Sequence, residues 1–181
     1  PPDTNRRRFF VMRILYVSQY LPPEMGAPAA RVHELSRAWV KDGHRVTALT
    51  AFPHHPTGVI PPDYRGRVTL REKVDGIDVL RTWVYATPNK GVLKRSLSYA
   101  SFMFSSIVIG FPRLVGHYDA VIATSPQFLV AVAGWIISVL LGRPFVFEVR
   151  DLWPASIEAV GAIRSKRVIA FLERIEMFLY R

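Results

Sequence analysis

The 181 residues contain no cysteine, which excludes disulfides and thiolate metal sites and is compatible with a reducing compartment. No G-x-G-x-x-G run is present, so the lone Gly26 after the first apolar segment is not a dinucleotide fingerprint. Neither a phosphate-binding P-loop nor the G-x-S-x-G elbow of a serine hydrolase occurs. Helix-turn-helix, RNP-type and zinc-finger patterns are missing too, which argues against a nucleic-acid partner. Long hydrophobic runs are scarce. Leu97–Phe111 and Gln127–Leu141 are uncharged but shorter than the ~20 residues needed to cross a bilayer. Acidic residues are few, 14 against 24 basic ones, and the net charge of +10 biases the protein toward anionic partners. The basic residues are mainly arginine, 19 against 5 lysines.

What is present reads as alternating strands and helices. Residues 13–18 form a buried strand, and the Pro22, Pro23 and Gly26 loop leads to an amphipathic helix over 28–42 with Val32, Leu35 and Trp39 on one face. Gly43 ends that helix and a second apolar strand spans Arg45–Ala51, completing a βαβ unit of about 30 residues with parallel strands. A long loop, Phe52–Gly66, carries four prolines and the pair His54-His55. Loops of that size in a compact domain are typically functional or disordered. Asp75-Gly76 predicts a hairpin between Val68–Lys73 and Ile77–Thr82. Then follow a helix over Val92–Phe111, a strand over Ala120–Thr124 and a helix over Gln127–Leu141 capped by Ser125-Pro126. A strand over Phe145–Val149 and a basic amphipathic helix over Arg164–Arg181 complete the chain. Residues 1–11, with two prolines and a basic triplet, read as a disordered extension, an upstream mis-start or a cloning remnant ahead of Met12. Residues 12–181 then form one Rossmann-like domain.

Continuously apolar strands alternating with helices predict a doubly wound α/β domain with a mainly parallel sheet. Such sheets bind ligands beyond the carboxyl ends of their strands, so function is expected in the loops 19–27, 52–66, 84–91, 125–127 and 150–161. The first of these joins a strand to a helix N-terminus, a setting that suits an anion such as a diphosphate. Glu148, Arg150 and Asp151 end an otherwise hydrophobic strand, where charges either pair with one another or face a cleft. His54 and His55 point in opposite directions if extended, so a shared metal is not expected; they read as hydrogen-bonding groups for a polar acceptor or as solvent-facing loop residues. Lys90, Lys94 and Arg95 beside Leu93, Leu97, Phe102 and Phe104 fit either an interfacial membrane contact or a plain core helix.

Four segments taken together resemble a known family: MRILYVSQYLPPEMGAPAARVHELSRAW (12–39), GHRVTALTAFPHHPTG (43–58), VIATSPQF (121–128) and FVFEVRDLWPASI (145–157). They are similar to the N-terminal half of family 4 retaining glycosyltransferases of GT-B fold. The likeness is greatest to the bacterial fucosamine-type aminosugar transferases of lipopolysaccharide, capsule and exopolysaccharide synthesis. The resemblance implies the acceptor-side Rossmann-like domain of a metal-independent enzyme without cofactor. That enzyme uses a nucleotide-sugar donor and a polyprenyl diphosphate-linked glycan acceptor. It implies a cytoplasmic, peripheral location at the inner face of the membrane.

Carried over residue by residue, the resemblance places Gly26 and Ala27 at the donor diphosphate. It places Glu24, His54, His55 and Arg150 on the acceptor side, Asp151 at the reacting sugar, and Lys90, Lys94 and Arg95 at the membrane. Arg150 stands where the family more often has histidine. The paired-glutamate E-x7-E segment that grips the donor in the second domain is not in this sequence, so the chain alone is expected to be inactive. A nicotinamide-dependent oxidoreductase domain is the alternative enzyme, disfavoured by the lone Gly26 and by Ala51-Phe52-Pro53 where an acidic residue belongs. A non-catalytic membrane-surface module is the third reading.

Overall fold

A computed structural model describes residues 10–88, 91–125, 128–150 and 166–180. In chain order the elements are β1 (Arg13–Val17), α1 (Ala27–Lys41), β2 (Arg45–Ala51), β3 (Thr69–Val74) and β4 (Ile77–Thr82), followed by α2 (Val92–Ser105), β5 (Ala120–Thr124), α3 (Phe128–Leu141), β6 (Phe145–Glu148) and α4 (Lys166–Leu179). They build a six-stranded sheet in the order β3-β4-β2-β1-β5-β6. All neighbours are parallel except the edge pair β3 and β4. The chain winds outward from β1 through β2 to β4 and returns to β5 on the other side of β1. The topological switch point therefore lies between β1 and β5.

Helices cover both faces, as the doubly wound reading expects. Alternation along β1 divides the core: Ile14 and Tyr16 face α1 with Val32, Val46, Ala48, Ile77 and Val79. Leu15 and Val17 face the other way, among Leu49, Phe102, Val121, Ala123, Val130 and Ile137. The uncharged helix α3 is a buried crossover helix, and among the described residues no helix is long and apolar enough to cross a membrane. Gly134 lets α3 settle on β5, because a Cβ there would lie 2.7 Å from that of Ala123.

The hairpin forms at Asp75-Gly76, with φ of 49° and 86°, both positive as a two-residue type I′ turn requires. Its first strand sits one residue later than expected, leaving Val68 outside it and exposed. Asp75 also accepts from His33 Nε2 at 2.8 Å, fastening the hairpin to α1. The expected helix to Phe111 is α-helical only to Ser105; it widens into a π turn over Ser106–Gly110 and ends as a 3-10 turn at Phe111–Arg113. Two local features account for the change. Gly110 packs so closely on Leu49 that a Cβ there would lie 2.8 Å from Leu49 Cδ1, and Pro112 has no amide to continue the ladder.

Candidate functional site

The loop after β1 is held from beneath by polar groups. The Gln19 carbonyl accepts from Thr50 Oγ1 at 3.1 Å and from the Ala51 amide at 3.3 Å. Arg81, at the end of β4, is fully buried and reaches three ways: to Glu72, to the Ala51 carbonyl at 3.1 Å and to the Pro22 carbonyl. Its guanidinium also lies 5.3 Å from the centre of the Tyr64 ring. One cation thus ties together the β1 loop, the end of β2 and the edge strand β3.

Glu24 turns inward rather than toward solvent; its side chain is 1% exposed. Oε1 accepts from the backbone amides of His54 and His55 at 2.8 and 2.9 Å, and lies 3.5 Å from His54 Nδ1. Oε2 is buried and, among the described residues, has no hydrogen-bond partner. Burial pushes the Glu24 carboxyl up to about 7, partly offset by the two amides and by Arg81. A carboxyl raised on folding costs nothing below its unfolded value near 4.5, destabilises progressively as the pH rises from there to about 7, and costs a constant amount above that. Glu24→Gln keeps the acceptor oxygen and removes the charge. The variant is expected to gain on the parent by about 2–3 kcal/mol between pH 5 and pH 8. Paired melting curves across that range check it; a constant difference would show that the carboxyl does not titrate there.

The two histidines were expected to hydrogen-bond a polar acceptor or to face solvent, and to diverge if the chain were extended. Instead the chain turns at a cis His55–Pro56 bond and both rings approach Tyr20, with centroids 5.9 and 5.3 Å away. His54 is buried. Burial lowers its imidazole below the usual histidine range, against the opposing bond to the Phe52 carbonyl. Tyr20, His54 and His55 line one side of a small cleft whose other sides are Thr87, Pro88 and the α2 residues Arg95, Ser98 and Tyr99. Arg95, assigned from sequence to the membrane, is a cleft-lining residue, whereas Lys94 is exposed; Lys90 lies outside the described residues. Gln19 Nε2 donates to Ser98 Oγ at 3.2 Å and links the β1 loop to α2. A larger hollow of about 460 Å³ sits near the amino ends of β2 and β4, lined by charges of both signs and away from the strand-end loops.

At the switch point Glu148 does not pair with Arg150. It accepts from the Tyr16 hydroxyl and from Arg31 of α1 at 2.8–2.9 Å. Burial pushes the Glu148 carboxyl upward, but these hydrogen bonds outweigh it and hold the group below the usual carboxylate range. Burial and the adjacent Glu148 raise the Tyr16 phenol, which stays protonated as donor. The Arg150 amide donates to Ser125 Oγ at 2.6 Å, joining the β5 and β6 exits, and its side chain is exposed. Asp151 lies outside the described residues. Gly26 has φ of 136°, a conformation that favours glycine, and with Ala27 is exposed at the start of α1. Sequence reasoning singled out Glu148 but passed over its partners Tyr16 and Arg31, as well as Tyr20, Arg81 and Ser98. For Arg81 a signal existed: it alternates in phase with Ile77 and Val79, which puts a cation on the apolar face of the strand, where it must be paired.

Strand-end loops thus converge on a polar, aromatic cleft in a doubly wound domain, and residues 26–181 match the family described as Glycosyl transferase 4-like domain. No curated protein matches the chain. With the match covering most of its length, the chain belongs to the glycosyl transferase 4-like domain family.

Proposed function

We propose that this domain forms the acceptor side of a retaining, metal-independent glycosyltransferase. It moves a sugar, an aminosugar by its likeness to fucosamine-type enzymes, from a nucleotide-sugar donor to a polyprenyl diphosphate-linked glycan for surface polysaccharide. The observation that carries this reading is the cleft of Tyr20, His54, His55, Arg95 and Tyr99 at the carboxyl ends of the strands. The cleft is small, about 10 Å³, and its aromatic walls with a few polar groups suit one edge of a polyhydroxylated ligand, a hydroxyl, rather than a whole sugar ring. Gly26 and Ala27 approach the donor diphosphate through backbone amides at the start of α1. Asp151 stands by the reacting sugar, Arg150 on the acceptor side, and electrostatic support of the departing diphosphate is the main contribution to rate.

A second observation supports contact with a membrane surface, which by the family likeness is the cytoplasmic face. Leu93, Leu97 and Phe104 are 74%, 50% and 61% exposed. At 100° per residue they fall within about 40° of one another on α2, with the exposed Lys94 alongside. Lys94 contributes about 1 kcal/mol at an acidic lipid surface, and each inserted leucine contributes about another 1 kcal/mol.

The test uses the whole protein carrying this domain, with vesicles that contain acidic lipid and polyprenyl diphosphate-linked glycan. Sugar transfer and co-sedimentation are both expected. A Leu93→Ser, Lys94→Ser, Leu97→Ser variant should sediment at least about tenfold less well. Absence of transfer from any nucleotide sugar would overturn the enzymatic reading, and equal binding to neutral vesicles would overturn the membrane one.

A further inference from the structure

The surroundings of His54 determine which of its nitrogens carries the proton. The Phe52 carbonyl can only accept, so its 2.9 Å contact with Nδ1 requires the hydrogen on Nδ1. The backbone on both sides is fixed as well. The His54 amide donates to Glu24, and the His54 carbonyl accepts from the Gly58 amide at 2.6 Å. Nε2 is left with a lone pair and, among the described residues, without a hydrogen-bond partner, on a ring that lines the cleft. Because burial disfavours the imidazolium, that lone pair persists at neutral pH.

We propose that His54 binds substrate by accepting, at Nε2, a hydrogen bond from a hydroxyl of the acceptor sugar, and that Glu24 is the positioning residue that enforces this tautomer and ring orientation. The inference rests on the transferase reading above and adds a ligand group and an atom to it. A neutral nitrogen lone pair takes a hydroxyl proton and repels a phosphate oxygen, so His54 selects the sugar part of the acceptor. Arg95, another lining residue of the cleft, supplies the cation there. Glu24 acts on His54 through the loop and through Oε1, which lies 3.5 Å from Nδ1. Its two amide contacts hold residues 54 and 55 in the turn that brings both rings to Tyr20.

Two near-isosteric variants separate the functions of the two nitrogens. His54→Asn places an amide donor close to the Nδ1 position, keeps the bond to Phe52 and offers nothing at the Nε2 position. His54→Gln reaches the Nε2 position with a carbonyl acceptor and gives up the Phe52 bond. If Nε2 receives the hydroxyl, the Gln variant of the whole protein keeps kcat/KM for the acceptor within a few-fold of the parent. The Asn variant loses about tenfold or more, mainly in KM. Thermal melting should rank them the other way. A long-range 1H–15N spectrum should show His54 as the Nδ1–H form, and Glu24→Ala should mix the tautomers. An Nε2–H ring, or an Asn variant as active as the Gln one, overturns the assignment. A parent protein that transfers no sugar overturns the transferase reading beneath it, which the tautomer spectrum alone would not touch.

Discussion

Arg81→Met is expected to cost about 3–5 kcal/mol, or on the order of 10 °C in melting temperature. The methionine fills much of the volume, so the loss comes from what it leaves behind. Glu72 loses its partner at the edge of the sheet, and the Pro22 and Ala51 carbonyls lose their donor inside it. Buried groups stripped of a partner keep the full desolvation cost, which is why breaking a buried network is more damaging than the network's net worth. Arg81→Lys should recover little, since one ammonium cannot span three acceptors in different directions while lying against Tyr64. The Pro22 contact anchors the loop that carries Tyr20 and Glu24, so acceptor binding should weaken along with stability. Denaturant unfolding of both variants checks this. A loss below about 1 kcal/mol in Arg81→Met, or full recovery in Arg81→Lys, would show that the three contacts are not the anchor.

The sheet was legible because its strands and their boundaries are written in local signals. Arg45–Ala51 and Ala120–Thr124 are largely apolar, β-branched stretches between punctuating glycines, prolines and charges, and both strands stand where those stretches do. Asp75-Gly76 specifies its turn through backbone conformation alone. The π turn at the end of α2 was not legible beyond the stop that Pro112 signals, because it also depends on how closely Gly110 meets Leu49, a residue far away in sequence.

The site divides in the same way. That the strand-end loops would hold it followed from topology, and His54 with His55 was picked out by chemistry. The inward turn of Glu24 and the approach of both rings to Tyr20 depend on contacts across about 30 residues, which no spacing rule encodes. The same applies to Glu148. Its natural partner by sequence, Arg150, is two residues away and would share its face if the strand ran on, but β6 ends at Glu148 and the packing of α1 delivers Arg31 instead.

Gly58 is the position where the smallest addition should have the largest effect on the cleft. Its φ is +75°, and a Cβ built there would lie 1.9 Å from the Pro88 nitrogen and 2.2 Å from the Thr87 carbonyl carbon. Those atoms are backbone and cannot rotate aside. Gly58→Ala must therefore separate the loop carrying His54 and His55 from the one carrying Thr87 and Pro88, both of which line the cleft. The left-handed conformation alone costs about 1–2 kcal/mol for alanine, and the steric conflict raises the expected total to about 3–4 kcal/mol. Gly66 provides the control. Its φ of +71° is nearly the same, yet nothing lies within 4 Å of its built Cβ. Gly66→Ala should thus lose only the conformational part, about 1–2 kcal/mol, and leave transfer intact. Acceptor kcat/KM should fall by at least about tenfold in Gly58→Ala, because displacement of a positioning wall by an ångström is costly to orientation. Equal losses of stability in the two variants would mean that the loops part without resistance. Unchanged transfer in Gly58→Ala would mean that the close contact of residues 58 and 88 does not shape the acceptor site.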